Sequence, residues 1–162
     1  YARSSAIILY DFCKALHIPV TVYGHSTSGS SVELYSYAEF ESIDNDDKYR
    51  LMDIAARGSN RDGAALRFVA EQLVKRPEEV KILILVSDGQ PAAPGYYGSA
   101  AEEDLRGIRQ EYRRKGVLFI AAAIGEDKQN IERIYGDSFM DITDLNQLPV
   151  KLTAAVKRHM RV

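Results

Sequence analysis

Lys81-Ile82-Leu83-Ile84-Leu85-Val86-Ser87 runs straight into Asp88-Gly89-Gln90-Pro91. Its unbroken apolar stretch suits a strand buried on both faces, the pattern of a central parallel strand. Residues 117–124 repeat that pattern, and 99–115 between them read as a helix. Ser99 and Glu102 have capping-box spacing, and Ala101, Leu105, Ile108 and Tyr112 fall on one face. Gly116 stands where this helix should stop. Strand, helix and strand in this order predict a doubly wound, mostly parallel α/β sheet with helices on both faces, a three-layer sandwich.

The remaining segments extend the alternation. Residues 1–16 read as a helix, apolar on nearly every side and therefore largely buried. Residues 19–23 read as a short strand, 24–31 as a Ser/Gly turn, and 32–40 as a more exposed strand. A short helix over 46–56 starts at Asn45 or Asp46, a loop covers 58–63, and a helix covers 64–75. Beyond 124 come a helix over 129–135, a strand over 139–142, and a last helix opened by Asn146 with Pro149. With no repeat, linker or low-complexity tract, the 162 residues read as one domain.

Composition narrows the function. A net charge of −2 shows no basic excess of the kind nucleic-acid binders carry. The longest apolar runs fall far below the roughly 20 residues of a membrane span. No leader is visible, and Cys13 is the single cysteine, so the expected setting is a reducing, cytoplasmic one.

Ligands of open parallel sheets bind at the carboxyl ends of the strands. Asp88 stands directly off such an end and reads either as a tight Asp-Gly turn or as a ligand. Upstream, Gly58-Ser59-Asn60-Arg61-Asp62-Gly63 leads into a helix, and Asp62 reads either as its N-cap or as a ligand. Taken together, Asn60, Asp62 and Asp88 offer hard oxygen donors on adjacent loops, which suits Mg²⁺ or Mn²⁺. His17, His25, His159 and Cys13 lack zinc-ligand spacing, and the three histidines read as surface or helix-end residues.

Other patterns fail on their own terms. Gly24-His-Ser-Thr-Ser28 lacks the fifth-position glycine of a nucleophile elbow. Asp44-Asn-Asp-Asp47 lacks the calcium-loop ligands and glycine. Arg113-Arg114-Lys115 reads as the basic end of a helix. Tyr96-Tyr97 reads either as an exposed contact pair or as packing for its own loop.

The stretch Ile82-Leu-Ile-Leu-Val-Ser-Asp-Gly-Gln-Pro91 resembles the fourth strand and third metal loop of von Willebrand factor A (vWA) domains. Gly58-Ser-Asn-Arg-Asp-Gly-Ala-Ala-Leu66 resembles the second metal loop. Its Asn-x-Asp-Gly form is similar to that of the bacterial branch holding the large cobaltochelatase subunit and nitric oxide reductase activation proteins. Tyr10-Asp-Phe-Cys-Lys-Ala-Leu-His-Ile-Pro-Val-Thr-Val-Tyr-Gly-His25 is similar to the first helix and second strand of that branch.

The resemblance implies a non-enzymatic binding module with a MIDAS-type Mg²⁺ site at Asn60, Asp62 and Asp88. The ion would keep one position for a partner's Asp or Glu. It also implies a MoxR-type AAA+ ATPase as partner, with a role in metal insertion into, or activation of, a target enzyme such as nitric oxide reductase. A Mg²⁺-dependent catalytic domain for phosphoryl transfer, or a structural vWA domain with a degenerate site, are the alternatives.

The family's first metal motif, Asp-x-Ser-x-Ser, ends its first and central strand and would lie just before Tyr1. The resemblance therefore implies an N-terminally incomplete domain, with that strand missing between residues 19–23 and 81–87. Burying the strand's apolar side chains is worth on the order of 5–15 kcal/mol, as much as a typical domain's net stability. The strand is expected from a further segment or a neighbouring chain, or else the sheet is altered.

Overall fold

A computed structural model describes residues 2–41, 46–55, 57–87, 89, 91–123 and 128–160. Asp88 therefore lies outside the described residues, as do Tyr1, Asp44, Asn45 and Ile124. The strands are β1 (Val22–Ser28), β2 (Ser31–Ala38), β3 (Lys81–Ser87), β4 (Val117–Ala123) and β5 (Phe139–Asp141). The helices are α1 (Ala2–Ala15), α2 (Asp47–Arg50), α3 (Asp62–Val74), α4 (Gly98–Arg114), α5 (Lys128–Tyr135) and α6 (Leu148–Met160). No helix among the described residues is long and apolar enough to cross a membrane.

β3, β4 and β5 form a parallel sheet in that order, with Lys81 opposite Val117 and Ala121 opposite Phe139. The pleat sends alternate side chains to opposite faces. Leu83, Leu85, Val117 and Phe119 meet α3, α4 and α5 on one face, through Leu66, Leu105, Ile108 and Ile131. Ile82, Ile84, Leu118 and Ile120 meet α1 and α6 on the other, through Leu9, Phe12, Leu148 and Leu152. Helices on both faces explain why these strands carry no polar alternation.

β1 and β2 form a separate antiparallel hairpin. Here the structure corrects the reading of 19–23 as strand and 24–31 as turn. The strand runs on to Ser28, and the turn is only Gly29-Ser30, with Gly29 in the left-handed region at φ 61°. Gly24, Ser26 and Thr27 mimic turn chemistry, yet each pairs across to β2. Tyr10 of α1, Tyr37 and Ala38 of β2, and Leu51 form a third small core beneath the hairpin.

Between β1 and β3 lies a slot, a cavity of about 960 Å³ lined by both strands and by α1, α3 and α6. This is the position where the vWA resemblance puts a missing strand. The slot also corrects the expectation for α1. Only Ser5 and Tyr10 are fully buried in it, because Ala6, Leu9, Phe12 and Cys13 border the cavity rather than a packed layer.

Helix starts differ too. The N-cap of α3 is Arg61, and Asp62 is already helical. That of α4 is Tyr97, without a side-chain cap bond, and the Ser99–Glu102 box does not form. Glu102 is drawn instead to Arg133 of α5, which grips both its oxygens at 2.5 and 2.6 Å. The expected helix over 46–56 is shorter, passing from α2 into a 3-10 turn that ends at Asp53. Asp144, not Asn146, caps the turn before α6 by accepting the Asn146 N–H at 3.0 Å. Gly116 ends α4 as expected, at φ 86°.

Candidate metal centre

The carboxyl ends of β1 and β3 meet the 58–62 segment at one rim. Thr27 N, at the end of β1, donates to Ser59 O at 2.7 Å, and Arg61 N donates to Thr27 Oγ1 at 2.9 Å. On the other side Asn60 reaches the loop that follows β3. Its backbone N–H donates to Ala92 O at 3.3 Å, and its side-chain carbonyl accepts from Ala92 N at 3.1 Å. The Arg61 guanidinium donates to Pro94 O on the same loop. The backbone packs closely at Gly58, where a Cβ would press on Thr27 O and Ser26 Oγ at 3.1 and 3.2 Å. The two loops singled out by sequence are therefore tied together.

Asp62 sits at the centre of this rim, only 3% exposed. His25 Nε2 lies 2.7 Å from its Oδ1, so that nitrogen carries the proton and donates. The Asn60 amide donates to Oδ1 at 3.1 Å and to Oδ2 at 3.3 Å. Asp62 stands in the first turn of α3, where the helix field favours negative charge. The expected N-cap role is not what the carboxylate does; it faces β1 and Asn60. His25 corresponds to no surface residue either: its side chain is 20% exposed and belongs to this rim.

Two tyrosines stand behind the carboxylate. Tyr96 is half-buried and donates to Asp104 Oδ2 at 2.7 Å, whereas Tyr97 is 70% exposed, so the pair splits. Burial pushes the Tyr96 hydroxyl well above its usual range, helped by the charges of Asp104 and Asp62. A Cβ at Gly63 would run into the tips of the Tyr96 and Asp104 side chains, which would have to move aside. Tyr135 is buried against Phe119, with rings stacked at 5.5 Å. Its hydroxyl has no hydrogen-bond partner among the described residues. Burial raises its pKa, and the negative charge of Asp62 adds to the rise.

The donor set among the described residues is one carboxylate, one imidazole and one carboxamide. A buried carboxylate paired with no Lys or Arg among the described residues is compensated only by imidazole and amide N–H groups. His25, Asn60 and Asp62 all line the same end of the slot, together with Ser87. Among the described residues no three His, Cys, Asp or Glu side chains converge. Asp88 is the third ligand named from sequence, and it lies outside those residues.

Residues 46–160 match the family described as the VWA domain of the cobalamin biosynthesis protein CobT. The chain belongs to this family of von Willebrand factor A domains. It is 30% identical to the uncharacterized protein YojO of Bacillus subtilis, over 96% of this chain and 26% of that protein. It is 34% identical to the protein NorD of Brucella suis, over 58% of this chain and 15% of that protein. The vWA chain thus spans about a quarter of YojO and less of NorD. Among solved structures, proximal thread matrix protein 1 from the mussel byssus matches with a TM-score of 0.58 at 19% identity, over 95% of this chain and 40% of that one. A second structure of the same mussel protein, with a zinc-occupied MIDAS motif, matches with a TM-score of 0.57 at 20% identity, over 95% of this chain and 42% of that one. At these identities the likeness establishes the fold.

Proposed function

We propose that this vWA domain is a cation-dependent docking module of an accessory protein and not a catalyst. The observation that carries the reading is the buried Asp62 carboxylate, held by His25 and Asn60 where the two loops meet. Its oxygen chemistry suits Mg²⁺ or Mn²⁺. Asp62 would hold the ion, and Asp88 would add charge directly or through water. Asn60, whose amide already donates to Asp62, would orient the ion or its waters. A bound cation of this kind supplies an open coordination position for a carboxylate from a partner protein.

The slot belongs to the same reading. One further extended segment seated between β1 and β3 completes the sheet, with one of its ends beside Asp62. The partner we propose is a MoxR-type AAA+ ATPase in the cytoplasm, acting in metal insertion or activation of a target enzyme such as nitric oxide reductase. Membership of the CobT VWA family and likeness to NorD support that assignment. Arg61, the cation that phosphoryl transfer would need beside the carboxylates, is already bonded to the Pro94 carbonyl, which favours docking over catalysis.

The test is co-purification with a MoxR-type ATPase, in Mg²⁺ and in EDTA, with wild type and Asp88→Ala. The reading expects capture in Mg²⁺ alone, lost in Asp88→Ala while circular dichroism stays unchanged. Capture that survives both EDTA and the substitution overturns it.

A further inference from the structure

We propose that the outer edge of β2 pairs with β2 of a second copy of this chain, antiparallel and centred on Leu34, to give a two-fold dimer. This edge lies on the side of the hairpin away from the slot. The dimer is therefore independent of the cation reading and of whatever segment fills the slot.

Hairpin geometry fixes which backbone groups face outward. Thr27 turns its N–H away from β2, to Ser59 O. Its opposite number Val32 therefore turns its own N–H and C=O away from β1. The alternation of an antiparallel ladder puts Leu34 and Ser36 in the same posture. Among the described residues no backbone bond outside the hairpin engages these three. The register is unbroken from Val32 to Ser36, and Arg50 reaches the edge only beyond it, at Tyr37 O.

Proteins usually blunt an edge of this kind with short strands, charged side chains or proline. The edge at β5 is blunted: it has three residues, and Lys151 Nζ holds the carbonyl of its last, Asp141. β2 has eight residues with no Lys, Arg or Pro, and its single charge is Glu33. Such an edge accepts another strand, and its side chains select a copy of itself. Pairing that engages every outward group of Val32, Leu34 and Ser36 sets Leu34 against Leu34 and Val32 against Ser36 of the second copy. Between them, Glu33 stands across from the second copy's Tyr35, and the Arg57 guanidinium lies 4.3 Å from the centroid of that ring. The two-fold axis makes this pairing of opposite charges twice. A slip by two residues one way sets Glu33 against Glu33, which is unfavourable. A slip the other way leaves Val32 without a partner.

The test is sedimentation velocity of the full chain in EDTA, from about 5 to about 500 μM, with wild type, Glu33→Arg, Arg57→Glu and the double variant. Amide exchange of wild type at both ends of that range accompanies it. The expected result is a weak, concentration-dependent dimer, because one strand pair buries less than a standard interface. Each single substitution should weaken association roughly tenfold, and the double variant should recover most of the loss. At high concentration the amides of Val32, Leu34 and Ser36 should exchange more slowly than in dilute solution, with Tyr23 and His25 unchanged. Should a variant fail to fold, the wild-type exchange decides alone. A monomer throughout the range overturns the proposal. So does a dimer that survives both single substitutions unweakened, or one that protects Tyr23 and His25 instead and so associates through the slot.

Discussion

The β3–β5 half and the β1–β2 half of the molecule are built on opposite principles. In the first, each strand is sandwiched between helices, and Leu105, Val117, Ala121 and Ala123 are fully buried. In the second, a hairpin rests on one face of α1, and its inner edge opens on the slot. The comparison separates a scaffold from a seam. The candidate cation site lies at the seam, where loops from both halves are tied by Ser59–Thr27 and Asn60–Ala92. Side chains that can take part in recognition gather where the packing is unfinished.

The largest expected effect breaks the scaffold. Leu105→Ala removes a side chain with 0% exposure and should cost about 2–5 kcal/mol in urea unfolding. Leu9→Ala, on α1 beside the slot, should cost about 1 kcal/mol, because less apolar surface leaves water there. Equal losses would erase the distinction between the halves. Amide exchange sharpens the same contrast. The alternate amides of β3 that bond β4 should exchange on the order of 100-fold more slowly than those facing the slot. Uniform protection along Lys81–Ser87 would show the slot edge to be already paired.

A smaller effect probes the boundary between the halves. Tyr135→Phe removes a buried hydroxyl that lacks a partner, so stability should hold or rise by up to about 1 kcal/mol. A clear loss in the same denaturation assay would show that the hydroxyl is bonded.

The smallest effect lies at the far edge of the sheet. Thr143, with Lys128 behind it, holds the Asp141 carboxyl down at about 2. A carboxyl depressed in the folded state contributes stability above its unfolded pKa, near 4, and loses it as pH falls toward 2. Wild type should therefore exceed Asp141→Asn in stability at pH 6, and the gap should close between pH 4 and 2. A gap that persists at pH 2 would contradict the assignment.

The scaffold was legible because burial on both faces leaves an unbroken apolar run, as in Ile82–Val86, which composition alone reveals. The hairpin was not, because Gly24, Ser26 and Thr27 have turn chemistry and join β1 only through pairing with β2. Asn60 and Asp62 could be named from spacing, but their posture could not. Asp62 has the position of an N-cap, and its contact with His25 depends on the meeting of two remote elements. Glu102 failed as a capping residue for the same reason, since Arg133 lies 31 residues away in sequence. Local motifs lose wherever a long-range charged partner binds the same side chain more strongly.

Paramagnetic broadening by Mn²⁺ tests the cation site most directly. Sub-stoichiometric MnCl₂ should bleach the amide resonances of Asn60, Asp62 and Ala92 before those beside exposed carboxylates elsewhere, such as Glu41 and Asp137, and Asp62→Asn should abolish the selectivity. Broadening that spreads over the acidic surface instead, or that persists unchanged in Asp62→Asn, would contradict a cation held at this rim.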